Sequence, residues 1–82
     1  MGRNIIGNRL KIARTIANIS QKDLMARLDF KNIHFSDSKL SAIEAGKYPV
    51  KDYELVAIAE ELHVSIVWLL GLDKDTGNVP KL

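Results

Sequence analysis

Apolar positions along this chain recur at intervals of three and four, the period of a helix that buries one face. Ile6, Leu10, Ala13 and Ala17 form one such stripe and predict a first helix over about residues 5–17, after which Asn18 lets the chain turn. Three later segments share a single signature, an apolar residue, then serine, then an apolar residue four positions further on. They are Ile19-Ser20…Leu24, Phe35-Ser36…Leu40 and Val64-Ser65…Leu69. Each fits a serine N-cap under a hydrophobic staple, so each predicts a helix start. A fourth stripe, Leu55, Ile58, Ala59 and Leu62, has Asp52 as its expected cap and Glu54 in its first turn, where the helix dipole favours an acid. Gly46 and Gly71 are placed as left-handed stops, and Pro49 holds Tyr48 extended. The expectation is an all-α fold of five short helices in one compact domain over residues 1–71. Residues 72–82, with Gly77 and Pro80, read as a short polar tail.

Size agrees with one small domain. A chain of 82 residues buries about 60% of its unfolded surface, which leaves a modest core. It has no cysteine, so a disulfide scaffold and a cysteine-based zinc site are excluded. His34 and His63 are too sparse for a metal cluster, and no cofactor is expected. No apolar run approaches the roughly 20 residues of a bilayer span, and the first residues lack the apolar core of a secretory signal. A soluble cytoplasmic protein with no membrane partner and no small-molecule ligand is the reading. With no glycine-rich phosphate loop, no metal spacing and no Ser/His/acid set on separate elements, an enzyme is not expected.

The formal net charge is only +2, but it is unevenly placed. Residues 1–51 hold ten Lys and Arg against four acids, and residues 52–82 hold two Lys against six acids. Such polarity suggests a basic face for a polyanion and an acidic remainder turned elsewhere; uneven charge by chance is the plainer alternative.

The stretch from Ser20 to Gly46 carries the candidate chemistry. Two short predicted helices, Gln21–Leu28 and Asp37–Ala45, are joined by a connection too short to reach far. That is a helix-turn-helix candidate, in which the second helix enters the DNA major groove and the first lies across the backbone. At this point the sequence resembles the Cro/phage-repressor type, lambda repressor-like, helix-turn-helix family of bacterial DNA-binding transcriptional regulators. The resemblance rests on Arg9-Leu10-Lys11 and Arg14, then Ser20-Gln21-Lys22-Asp23-Leu24, then Leu40-Ser41-Ala42-Ile43-Glu44-Ala45-Gly46-Lys47. It continues through Leu55…Ile58-Ala59…Leu62-His63-Val64-Ser65 to Trp68-Leu69-Leu70-Gly71, and so spans roughly residues 5–71.

The resemblance implies that Gln21, at the start of the second helix, hydrogen-bonds a DNA phosphate. A helix N-terminus already offers free N–H groups and positive potential for that purpose. The alternative is a solvent-facing first-turn glutamine. It further implies that Glu44 pairs with Arg14 of the first helix, a mainly structural role. Leu40 and Ile43 must face the core, which turns Asp37, Ser38, Lys39, Ser41 and Ala42 outward. By family position Asp37, Ser38 and Ala42 lie where base edges are read, with Lys39 and Ser41 beside them. Lysine can donate to guanine, serine can serve several bases, and alanine can touch a thymine methyl. Asp37 can accept from cytosine N4, but first-turn dipole stabilisation is its plainer role. Lys47 and Lys51 are assigned to phosphates, with solubilising loop charge as the alternative.

Two features depart from the family pattern. Seven residues, Asp29 to Phe35, separate Leu28 from Ser36 where a tight glycine turn is usual, and Met25 stands where alanine usually packs. The longer connection brings Lys31, Asn32 and His34 within possible reach of DNA, and Lys31 and Asn32 join the phosphate set; Phe30, Ile33 and Phe35 are expected to anchor the loop on the core. Trp68 is either a core residue or a dimer anchor, and His63 a helix-end residue without chemistry. The functional expectation is a double-stranded-DNA-binding transcriptional regulator, a repressor acting by operator occupancy as a homodimer. Its rival is a protein-interaction module of the same fold, an antagonist or antitoxin-like partner of another regulator.

Overall fold

The structure is a computed structural model and describes residues 2–73. It is all-helical: α1 (Gly7–Ile16), α2 (Gln21–Asp29), α3 (Asp37–Glu44), α4 (Asp52–Leu62) and α5 (Ile66–Leu69), with no strand among the described residues. The three serine starts form as the pattern predicts. Ser20 Oγ accepts from the Asp23 N–H at 3.0 Å, Ser36 Oγ from Lys39 N–H at 3.1 Å and Ser65 Oγ from Trp68 N–H at 3.3 Å. Both apolar residues flanking each cap, Ile19 and Leu24, Phe35 and Leu40, Val64 and Leu69, lie in or against the core.

The other two starts differ from expectation. α1 begins at Gly7 because Asn4 Oδ1 accepts from both the Ile6 and Gly7 N–H groups, at 3.0 and 2.9 Å, which defers the first helical turn. At α4, Asp52 is not the cap but the first helical residue. Extended Lys51 precedes the helix, and Glu54 reaches back to accept the Lys51 N–H at 2.9 Å. Asp52 takes the Tyr53 N–H instead.

α3 lies against α1 and α2, while α4 packs on α2, α1 and α5. Leu10, Leu24, Leu28, Leu40, Ile43, Ile58, Leu62 and Leu69 fill the centre with no side-chain exposure. Trp68 is a core residue. Its ring is capped by the Arg9 guanidinium at 4.9 Å, and Arg9 also donates to the Trp68 carbonyl and to Asp73. Leu72 and Asp73, read from sequence as the start of the tail, are therefore tied to the domain, Leu72 through its N–H to the Val67 carbonyl. Residues 74–82 of that tail lie outside the described residues.

The α2–α3 connection corrects one expectation. Ile33 and Phe35 are buried as loop anchors, but Phe30 is 93% exposed. It follows Leu28 by two residues, about 200° around the helix, so burying Leu28 sends Phe30 outward. The chain then reverses through Asn32 at φ 62°. No helix among the described residues is long and apolar enough to cross a membrane.

Gly7 sets the spacing of α1 and α3. A Cβ there would strike the Ile43 carbonyl oxygen and sit 2.8 Å from that of Glu44. Alanine would gain about 1 kcal/mol of helix propensity. Prying the two helices apart costs about 1–3 kcal/mol in a packed interior, and here the obstacle is rigid backbone. Gly7→Ala is accordingly expected to lower stability, read as a reduced midpoint of urea unfolding with an unchanged m-value.

Candidate nucleic-acid interface

The α2–α3 pair is secured by a charged cluster beneath it. Arg14 of α1 meets Glu44, the last residue of α3, in a two-pronged pair: Nε to Oε2 at 2.7 Å and Nη2 to Oε1 at 3.2 Å. Both side chains are nearly enclosed, at 13% and 5% exposure. Arg14 Nη1 also donates to the Ile19 carbonyl at 2.9 Å, and Gln21 Nε2 donates to Glu44 Oε1 at 2.9 Å. The Arg14–Glu44 pair implied by the resemblance is thus present, and it takes in the first residue of α2 as well.

A second carboxylate holds α3 nearer its start. Glu54 of α4 is 4% exposed; one oxygen takes the Lys51 N–H, and the other receives the Lys39 ammonium at 3.3 Å. That ammonium also lies over the Phe35 and Tyr48 rings, at 4.7 and 5.3 Å from their centroids. Lys39 is therefore turned towards α4 and half-buried, not outward with the base-reading candidates. The cause is the buried Glu54 carboxylate, which would be stranded without a cation.

At its far end α3 stops in a Schellman turn. Gly46, at φ 76°, donates to the Ile43 carbonyl and Lys47 to that of Ala42. The amino-terminal arm closes over this stop: Asn4 Nδ2 donates to the Ile43 and Tyr48 carbonyls, and the Arg3 N–H to that of Gly46.

With α3 so held, Asp37, Ser38 and Ser41 are exposed, Ala42 is half-buried, and Ala45 joins the same outer surface. Lys47 is exposed directly after the stop. The Gln21–Glu44 bond brings the start of α2 beside the end of α3, and Lys22 and Lys47, exposed, follow these two points in the chain. At the α2 start Ser20 serves the Asp23 and Leu24 N–H groups, so those of Gln21 and Lys22 have no acceptor among the described residues. Lys51 is exposed before α4, its ammonium 5.9 Å from the Tyr53 ring centroid. The neighbouring Tyr53 phenol holds its pKa above the ordinary lysine value, with Glu54 adding to the effect.

Lys31 departs from its sequence assignment to phosphate. Its ammonium sits 2.7 Å from Glu60 and 3.6 Å from Glu61, both on α4. The hydrogen bond to Glu60 holds its pKa above the usual lysine value. Asn32 is exposed, but its part in the fold is the left-handed turn. His34 pairs with Asp29 at 2.7 Å on the surface.

The segregation of charge along the chain is therefore partly internal pairing. Arg9 to Asp73, Lys31 to Glu60 and Lys39 to Glu54 each join a cation of the first 51 residues to an acid of the remainder. Arg3, Lys11, Lys22, Arg27, Lys47 and Lys51 are exposed and form no ion pair among the described residues. Sequence reasoning missed Asn4, Gly7 and the outward Lys22, and it placed Glu54 in a first turn without its role as a clamp. Glu54 carried a signal, since it follows Lys51 by the three residues of a reciprocal cap. Asn4 carried one too, standing three residues ahead of the helix it starts. Gly7 carried none.

No protein-family model matches the chain, and no curated protein or solved structure matches it.

Removing one partner of an enclosed ion pair leaves the other charge uncompensated, at a cost of about 3–5 kcal/mol. Glu44→Ala is expected to lose stability in that range in urea unfolding. Arg14→Met combined with Glu44→Leu is expected to recover most of it, because no charge is then stranded. A loss for the double variant equal to the sum of the two single losses would show that the two residues do not act as a pair.

Proposed function

We propose that the chain binds double-stranded DNA in a sequence-specific way, with α2 and α3 as a helix-turn-helix and α3 as the reading helix. The observation that supports this best is the division of α3 into two sides. Its inner side is clamped through Glu44 and Lys39, while Ser38, Ser41, Ala42 and Ala45 form its other side with small side chains, and Lys22 at the α2 start and Lys47 after the α3 stop are exposed cations. Small polar and methyl groups suit base edges, and exposed cations suit phosphates. The resemblance to lambda repressor-like regulators points the same way. In this reading Lys31 and Lys39 are engaged by acids of α4, and the phosphate set is Gln21, Lys22, Lys47 and Lys51. Two copies on half-sites about 34 Å apart, one helical turn, would cover a near-palindromic operator and act as a non-enzymatic repressor by occupancy.

One observation favours a protein-interaction module instead. Ile12 and Ile16, one turn apart on α1, are 40% and 42% exposed, and such an apolar pair suits a protein partner.

Salt dependence separates the two readings. Each phosphate neutralised contributes about −0.9 to the slope of log affinity against log salt, so three lysines give about −3 per protomer. Lys47→Ala is expected to make the slope less steep by about one unit and to weaken all sequences alike. Duplex titrations across a salt series read both, and a flat response would favour the protein-interaction module.

Base preference is a separate matter from grip. Ser38→Ala, or Ala42→Gln, is expected to change the preferred base at one position by about 1–3 kcal/mol of discrimination and leave other positions alone. Selection from random duplexes checks this. If both variants recover the parent's site unchanged, α3 is not the reader.

A further inference from the structure

The Gln21 side chain stands where a phosphate contact is proposed, yet its amide is already engaged by a carboxylate. A carboxylate only accepts hydrogen bonds, so the Gln21 amide must turn its NH2 group towards Glu44, and its orientation is thereby decided. One Nε2 hydrogen is spent on Glu44 Oε1. The other remains, on a nitrogen held at 2.9 Å from a residue that is itself fixed by two bonds from Arg14. A glutamine in solvent samples many rotamers and both amide orientations; this one is confined. The negative charge of Glu44 would ordinarily repel a phosphate, but the Arg14 guanidinium pairs with it at 2.7 Å. What remains beside the uncommitted N–H groups of Gln21 and Lys22 is a local field without net anionic charge.

We infer that the Arg14–Glu44 pair is a positioning unit for DNA as well as a fold anchor: it orients the Gln21 amide so that its second Nε2 hydrogen, beside the α2 start, donates to a backbone phosphate. The proposal rests on the DNA-binding reading and deepens it. Its consequence is that the residue closing α3 also governs the grip at the opening of α2. Reading helix and phosphate contact are then set in register by one carboxylate. Gln21 acts as a neutral donor, so it adds affinity without releasing a counterion.

The test is a double-mutant cycle between Gln21→Met, which keeps the length and loses the amide, and Glu44→Gln. Binding is measured on a random-sequence duplex pool at low salt, where phosphate contacts dominate. In the parent, Gln21→Met is expected to weaken binding about tenfold, as befits a hydrogen bond to a charged group, with the salt slope unchanged. In the Glu44→Gln background the same substitution is expected to cost less than about twofold, the mark of coupling between neighbouring groups. Should Glu44→Gln fail to fold, Glu44→Asp serves in its place, since it keeps a charge for Arg14 while retracting from Gln21. A readout without DNA accompanies the cycle. In an isotope-labelled sample the Gln21 Nε2 proton held by Glu44 is expected to exchange more slowly with water than its uncommitted partner in the parent, and as rapidly as that partner in the Glu44 variant. Equal exchange of the two protons in the parent would overturn the proposal, as would additive losses in the cycle or a salt slope altered by Gln21→Met. A parent that binds no duplex would overturn the DNA-binding reading itself, whereas additive losses in a parent that binds would overturn the positioning role alone.

Discussion

Arg14 and Glu44 join three helices at one point. The arginine comes from α1, the glutamate closes α3, and the same pair reaches the Ile19 carbonyl and the Gln21 amide at the start of α2. Two charges so enclosed are costly to desolvate, and their worth lies less in net stability than in geometry. A guanidinium fork accepts a carboxylate in few orientations, so the pair sets how α3 lies on α1. Gly7 then lets the helices approach until backbone meets backbone, and Asn4 adds a second donor to the Ile43 carbonyl at the end of α3.

A second carboxylate, on Glu54, complements the first. It accepts the Lys51 N–H at the start of α4 and the Lys39 ammonium from the first turn of α3, with Phe35 and Tyr48 around the cation. α3 is thus held near both ends by acids whose partners lie on other elements. It is only eight residues long, too short to be stable alone in water. Its inner side is committed to Leu40, Ile43 and these two clamps, and this commitment leaves its small outward residues free for another molecule.

The pairing also changes what the charge of the chain means. Cations concentrated in the first half are in part neutralised by acids of the second, through Arg9, Lys31 and Lys39. The exposed cations that remain are fewer than composition suggests. Lys22 follows the α2 start and Lys47 the α3 end, so the proposed function rests on the position of a few exposed cations rather than on total charge.

Local physics made much of the fold legible in the sequence. A serine cap with its staple involves residues within four positions of each other, so Ser20, Ser36 and Ser65 announced their helices without tertiary help. The buried stripe of α1 and the inward Leu40 and Ile43 followed from the helical period alone, and the left-handed stops at Gly46 and Gly71 from the tolerance of glycine. The outward direction of Phe30 was available from the same period, because burying Leu28 decides it, yet its aromatic character suggested an anchor. The partner of a long charged side chain belongs to a different class of question. Lysine reaches several ångströms in any direction, and whether Lys31 and Lys39 face solvent or an acid depends on where α4 comes to lie. Glu54 became a buried clamp, and Gly7 a point of contact between helices, for the same reason. Residues far apart in sequence met there only after the chain had packed, and only the tertiary structure decided which side chains would be spent within the fold and which would be left exposed.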